Sequence, residues 1–224
     1  MTDAAHTAAP PARRSSLLGR IRLGIIYLFL LAVAIFAQPT LGLVAIGLPF
    51  VIAGEAVRAW AAGHLLKSKE LAVSGPYRYT RNPLYLGRFL ILTGLCLMAR
   101  LPENSLRINL GGILHSIGVH PMIVNIYFPG WTNLILLGLG WAVFFLYYLP
   151  RKIRVEGARL RRLHGEACEG WFLSVPLLFP RVTPYGQNVR AWDSSRFLRN
   201  REHWMIVGVT IVTALFLYRA LTTP

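Results

Sequence analysis

Between two long apolar runs lies the stretch Gly75-Pro76-Tyr77-Arg78-Tyr79-Thr80-Arg81-Asn82-Pro83-Leu84-Tyr85-Leu86-Gly87, where two arginines, three tyrosines, a threonine and an asparagine are gathered. Asn82-Pro83 reads as a helix start. Asn is a strong N-cap, and Pro suits the first helical position because its missing N–H would be unpaired there anyway. A helix N-terminus draws anions, and the guanidinium forks of Arg78 and Arg81 match carboxylate or phosphate oxygens. Tyr77, Tyr79 and Tyr85 add flat aromatic faces. The expected chemistry is an anion-binding turn, and the helix that follows, Leu84 to Ala99, is apolar enough to put that turn at a membrane surface.

The elements that hold this turn follow from composition. The chain is 54% hydrophobic and only 15% charged, with a mean hydropathy of +0.48. These values exclude an ordinary soluble domain and fit a small polytopic membrane protein. The expected fold is all-α, a bundle of about five transmembrane helices. Spans are predicted near 23–37, 41–62, 84–99, 131–149 and 204–217, each close to the ~20 residues that a bilayer requires or somewhat shorter. Residues 1–16, rich in Ala, Pro and Thr, read as a disordered tail. Residues 17–203 read as a membrane core, and 204–224 as an additional C-terminal transmembrane helix. A signal peptide is the alternative for the first run, since Ala32-Val33-Ala34 loosely resembles a cleavage site. Pro150 is expected to close the fourth span, leaving 151–203 as a basic segment. The connection 100–130 is long for a simple loop, and its partly apolar middle, Ile108 to Ile126, is expected in the interface or re-entering the membrane.

The formal charge of +15 suggests nucleic acid at first sight. Its distribution argues against that, because the basic residues flank apolar runs instead of forming one soluble face. All of the 24 Lys and Arg except Arg100, Arg107 and Arg219 fall on one side of a five-span arrangement. The positive-inside rule then places the N-terminus, the Gly75–Gly87 turn and 151–203 in the cytoplasm. Cys96 and Cys168 form no disulfide framework, and the scattered histidines offer no metal spacing.

The motif resembles the signature of the isoprenylcysteine carboxyl methyltransferase and phospholipid methyltransferase superfamily. The resemblance rests on Gly75-Pro76-Tyr77, Arg81-Asn82-Pro83, Tyr85 and Gly87. The looser second half continues with Glu156, Leu160, Gly165, Val175-Pro176 and Pro180, and Glu55, Arg58, Trp60 and Gly63 match the pattern of bacterial members. It covers roughly residues 40–180. Many members carry His where this chain has Asn82, the connection 100–130 looks longer than usual, and the fifth span lies beyond the shared core.

The resemblance implies an integral membrane enzyme, in a bacterial inner membrane with its site cytoplasmic, that uses S-adenosylmethionine to methylate a lipophilic acceptor. Carried over residue by residue, it implies Arg81, Tyr85, Glu55 and Arg58 in catalysis. It implies Gly75, Tyr77, Asn82, Pro83, Gly87, Glu156 and Trp171 around the cofactor, with no metal. The chemistry agrees: a carboxylate suits the helix start near Arg81, Glu156 is the candidate partner for an ammonium, and Tyr77, Tyr85 and Trp171 could lie against adenine or sulfonium. Gly87 and Gly94, seven residues apart on one helical face, would let a cofactor or helix approach closely. Few carboxylates (Glu55, Glu156, Glu166, Glu169) stand near the motifs. That favours an acceptor needing no base, such as an isoprenylcysteine-like carboxylate, over an amine that must lose a proton.

Each residue also has a plain structural role open to it. Asn82-Pro83 could be a cap alone, and Glu55 with Arg58, spaced i,i+3, an intrahelical pair. Arg78, Lys67 and Lys69 could be headgroup contacts, Glu156 a solvated counter-charge, and Tyr147, Tyr148 and Trp204 members of an aromatic belt. A phospholipid amine N-methyltransferase, a sterol-type NADPH reductase and a non-catalytic protein that binds anionic lipid are the alternative functions.

Overall fold

The computed structural model describes residues 33–65, 71–102, 106–109, 123–126, 129–187 and 190–222. The expected tail 1–16, most of the span at 23–37, Lys67 and Lys69, and the middle of the 100–130 connection lie outside these residues.

Helix α1 runs from Leu41 to His64, with Thr40 at its N-cap accepting from the Leu43 amide at 3.3 Å. A 3-10 turn at Gly75–Arg78 leads into α2, Pro83–Met98. α1 and α2 lie antiparallel, and glycines fix how closely they meet. A Cβ on Gly94 would stand 2.5 Å from the Gly47 carbonyl oxygen, and one on Gly54 would stand 2.7 Å from that of Gly87. These two pairs let the backbones touch, the usual device for helices that cannot rely on the hydrophobic effect inside lipid.

The connection after α2 contains a short antiparallel ribbon, β1 (Leu106–Asn109) with β2 (Ile123–Ile126), Leu106 opposite Ile126. This ribbon is an addition to the expected helical bundle. Helix α3, Thr132–Ala142, then packs antiparallel on α2: Asn133 Nδ2 donates to the Leu97 carbonyl at 3.2 Å and Trp141 Nε1 to Thr93 Oγ1 at 3.0 Å. Pro150 does not end this helix as expected. A π-turn at Val143–Tyr148 carries α3 directly into α4, Leu149–His164. The proline stands directly after the widened turn, in which the Leu149 amide donates to the Phe144 carbonyl five residues back, and that turn takes up the ring and the missing amide.

The basic segment that follows holds a 3-10 turn (Gly165–Cys168), a short helix α5 (Glu169–Ser174) and α6 (Ser194–Arg199). Helix α7, Glu202–Thr222, closes the chain and runs antiparallel to α1. It is held at both ends: Glu202 pairs with Arg58, and Arg219 donates to the carbonyls of Ile35 and Ala37.

Among the described residues, three helices are long and apolar enough to cross a bilayer: Leu41–His64, the continuous Thr132–Leu163, and Glu202–Thr222. α2 is apolar but shorter. Large apolar side chains such as Ile52, Leu139, Leu146 and Ile211 stand exposed, Leu146 at 80%, which lipid rather than water would tolerate. One buried cluster joins α1, α2 and α7 through Val51, Ile91, Met98, Val209 and Phe216. A second surrounds Tyr85, Leu86 and Phe89 with Phe144, Leu149 and Leu178.

Candidate active site

The turn at 75–82 is bound to the distant segment 171–186 almost residue by residue. Trp171 Nε1 donates to the Tyr77 carbonyl at 3.1 Å, and the Tyr185 amide to that of Arg78 at 2.9 Å. The Arg181 amide reaches the Tyr79 carbonyl at 2.9 Å, and the Arg81 amide reaches Pro176 at 2.9 Å. Thr80 Oγ1 donates to Leu178 and Asn82 Nδ2 to Leu177, both at 2.8 Å. Asn82 does stand at the N-cap position of α2, but its side chain makes no cap bond; its amide is used to hold the 176–178 segment over the helix start. Arg78, which could have been a headgroup contact, donates its guanidinium to the carbonyls of Tyr185 and Gly186 instead.

Beside this lacing lies one small cavity, mostly apolar in its lining, with Arg81, Asn82 and Glu156 as its polar side chains. Arg81, Asn82 and Leu177 form one wall, and Glu156, Gly157, Leu160, Trp171 and Phe172 the other. Its volume is about 30 Å³, room for little more than one water. Arg81 is the group most exposed to a ligand's charge. Its Nε is buried without a partner, and its guanidinium lies over the Phe172 ring at 5.2 Å, with Arg161 over the same ring at 5.3 Å. Burial first, and then the Arg161 guanidinium, push the Arg81 pKa below its ordinary value. A crowded, partly desolvated cation gains most from an arriving carboxylate.

Glu156 lines the same cavity from α4. It accepts from the Tyr85 hydroxyl, and Tyr85 in turn packs edge-on against Tyr148 at 5.7 Å. Arg88, one turn after Tyr85 in α2, donates to Tyr148 Oη and lies over the Tyr85 ring at 5.6 Å. Arg81, Asn82, Tyr85, Glu156 and Trp171 are therefore brought together. The chemistry available is a cation and a carboxylate on one cavity, which suits a zwitterion, with aromatic rings beside them.

The other expected site residues stand elsewhere. Gly75, at φ +57°, presses on the His64 ring, whose Nδ1 lies 3.2 Å from Ser74 Oγ. Tyr77 is buried behind Trp171 with Ala61 and Val175, and burial raises its phenol pKa. Pro83 lines an apolar groove of about 220 Å³ on the far side of the turn, shared with Val57, Trp60, Leu86 and Pro180. Gly87 lies against the Arg58 side chain and the Gly54 carbonyl. Glu55 and Arg58 do not pair with one another. Arg58, 2% exposed, is bound to Glu202 of α7, while both Glu55 carboxylate oxygens are buried without a hydrogen bond.

Phe172, Arg161, Arg88 and Tyr148 were not expected at the site. Of these, Arg161 and Phe172 had one usable signal: Arg161 sits five residues after Glu156, and Phe172 adjoins Trp171. Among the described residues no cluster of metal-ligating side chains occurs.

Over residues 37–130 the chain matches the model of the phospholipid methyltransferase family, in agreement with the superfamily resemblance of its motif. The matched interval holds α1, the 75–82 turn, α2 and the ribbon; Glu156, Trp171 and Phe172 lie beyond it. No curated protein and no solved structure is a match. The match and the apolar helices support an integral membrane methyltransferase with lipid-type substrates.

Proposed function

We propose, from the phospholipid methyltransferase match over 37–130 and this cavity, that the chain binds S-adenosylmethionine between Arg81 and Glu156 and methylates a lipophilic acceptor. The observation that carries this reading is that Arg81, whose Nε is buried without a partner, and Glu156 line one cavity together with Trp171 and Phe172. Arg81 would hold the cofactor's carboxylate, with Asn82 beside it, and Glu156 its ammonium. Trp171 and Phe172 would cover its flat and sulfonium parts. When bound, S-adenosylmethionine supplies an activated methyl group. The residues then position rather than exchange protons: alignment and exclusion of water can lower such a barrier by several kcal/mol. The cavity holds about 30 Å³, so it would have to widen around the cofactor, with Arg81, Asn82, Glu156, Trp171 and Phe172 as the residues that would hold it.

The 79–83 turn contributes Arg81 and Asn82 to the cavity and Tyr79, Thr80 and Pro83 to the apolar groove. That placement suits an acceptor with a hydrocarbon part. Among the described residues, Glu156 is the single carboxylate lining the cavity, and here it is committed to the ammonium. An acceptor carboxylate, isoprenylcysteine-like, needs no further base and is the leading assignment. A phospholipid amine is the second reading, favoured by the family match. In both, the site faces the cytoplasm of a bacterial cell on the charge distribution.

The test is calorimetric titration of the detergent-solubilised protein with S-adenosylmethionine and, separately, NADPH. Binding of the first alone is expected, with Arg81→Ala and Glu156→Gln each weakening it by about two orders of magnitude, as loss of a charge-assisted contact at a desolvated site would. Unchanged binding by both variants would remove the site assignment. Mass spectrometry of lipids from cells with and without the gene then identifies the acceptor as the species gaining one methyl group, on oxygen or on nitrogen.

A further inference from the structure

Helix α7 lies outside the matched interval 37–130, yet it supplies the counter-ion of the most deeply buried charge among the described residues. Arg58 is 2% exposed and pairs with Glu202 in the first turn of α7. The same guanidinium donates Nη1 to the Leu84 carbonyl at 3.4 Å, and its aliphatic stem crosses Gly87, where any Cβ would collide with Arg58 Cγ. Leu84 and Gly87 lie within the first five residues of α2, on either side of Tyr85, whose hydroxyl bonds Glu156, and just after Asn82 at the cavity wall. Arg58 thus braces one face of the turn whose opposite face presents the site.

We propose that Glu202 is a positioning residue: through Arg58 it holds the first turn of α2, and with it Asn82 and Tyr85, in register with Glu156. The proposal rests on the cofactor reading only for its effect on binding; the brace itself is independent of any ligand. Three features give it weight. The ion pair is buried, so the guanidinium has no water to turn to. Glu55, one turn earlier, leaves both carboxylate oxygens unpartnered, so the arginine is aimed at α7 although an acidic neighbour stands on its own helix. Finally, Arg219 fixes the far end of α7 to the carbonyls of Ile35 and Ala37, so the helix is anchored at both ends, with Glu202 held against α1.

The experiment uses the full chain in detergent micelles, with hydrogen exchange read by mass spectrometry and S-adenosylmethionine binding read by calorimetry. In Glu202→Gln, Glu55 remains as a nearby negative charge, so the bundle is expected to assemble. Exchange at Tyr85–Arg88 should quicken about tenfold, while Leu95–Met98 at the other end of α2 stays as in the wild type. Affinity for S-adenosylmethionine should fall by a similar factor, and Glu202→Asp should restore protection. Wild-type exchange at Tyr85–Arg88 in Glu202→Gln overturns the proposal. Should that variant fail to assemble, Arg58→Met/Glu202→Gln removes both charges and strands neither; the same local loosening is expected, and native protection there refutes the brace. If the wild type binds no S-adenosylmethionine while the turn still loosens, the positioning role stands and the cofactor reading falls.

Discussion

Replacing Asn82 by Asp separates two physical roles that have opposite signs. As a helix cap, Asp equals Asn and adds a charge at the favourable end of the dipole, worth about 0.3–1 kcal/mol. In the structure Asn82 makes no cap bond; its Nδ2 donates to the Leu177 carbonyl at 2.8 Å. Asp has no donor to offer. The lost bond removes about 0.5–1.5 kcal/mol, and a carboxylate held against a carbonyl in a half-buried wall adds about 1–3 kcal/mol. Subtracting the dipole gain leaves Asp destabilising by about 0.5–4 kcal/mol, centred on ~2 kcal/mol. Asn82→Ala loses the bond without the repulsion, near 1 kcal/mol. Thermal unfolding in detergent, followed by circular dichroism, should rank the proteins Asn above Ala above Asp. Hydrogen exchange at 176–178 should quicken in the same order. An Asp variant as stable as the wild type would show that the side chain caps α2 and that the bond to Leu177 is of no consequence.

Gly94→Ala pushes a methyl group to 2.5 Å from the Gly47 carbonyl oxygen and 2.7 Å from Val51 Cγ2, forcing α1 and α2 apart. An overpacking loss of about 1–3 kcal/mol is expected in denaturant titrations. Gly138→Ala, with no atom within 4 Å of the new Cβ, should be neutral or stabilising, and equal effects at the two sites would contradict the close helix contact. Asp193 caps α6, accepting from Ser195 Oγ at 2.6 Å, the Ser195 amide at 2.8 Å and the Arg196 amide at 3.3 Å. The Ser195 hydroxyl bond first, then the amides and Arg196, hold its carboxyl below the ordinary range. The cap therefore contributes fully above the ordinary Asp pKa and is lost as pH falls through the lowered value. Exchange at Ser195 and Arg196, corrected for intrinsic rates, should rise only at the acid end, and a rise near neutrality would exclude this cause.

What the sequence made legible were features set by neighbours along the chain. Pro83 announced the α2 start, and apolar length announced α1 and α7, because proline's fit to the first helical position and bilayer thickness act within one element. Glu156 was legible as a carboxylate just past an apolar span. What stayed hidden depended on partners far away. Asn82 and Leu177 are 95 residues apart, Arg58 and Glu202 are 144 apart, and neither pairing leaves a spacing signal. Tyr77 and Trp171 read alike as ring faces for a ligand. Packing separates them, since Trp171 lines the cavity and Tyr77 stands behind it with its carbonyl bonded to the Trp171 indole. Pro150 misled because its effect depends on the turn before it, and only the fold shows that turn to be π.

That π-turn makes the length of this span adjustable. Its ladder steps five residues back where an α-helix steps four, as the Leu149 amide does to the Phe144 carbonyl, so one extra residue is taken up inside a single widened turn. Five such steps sweep nearly the angle of four α-helical steps of about 100° each, so the helix beyond keeps its facing. Deleting a single residue within Val143–Tyr148 would therefore let the ladder relax to ordinary spacing with Glu156 still turned toward the Tyr85 hydroxyl. The segment acts as a slack link: it lets the membrane-embedded half of the rod differ in length without re-aiming the carboxylate at its far end.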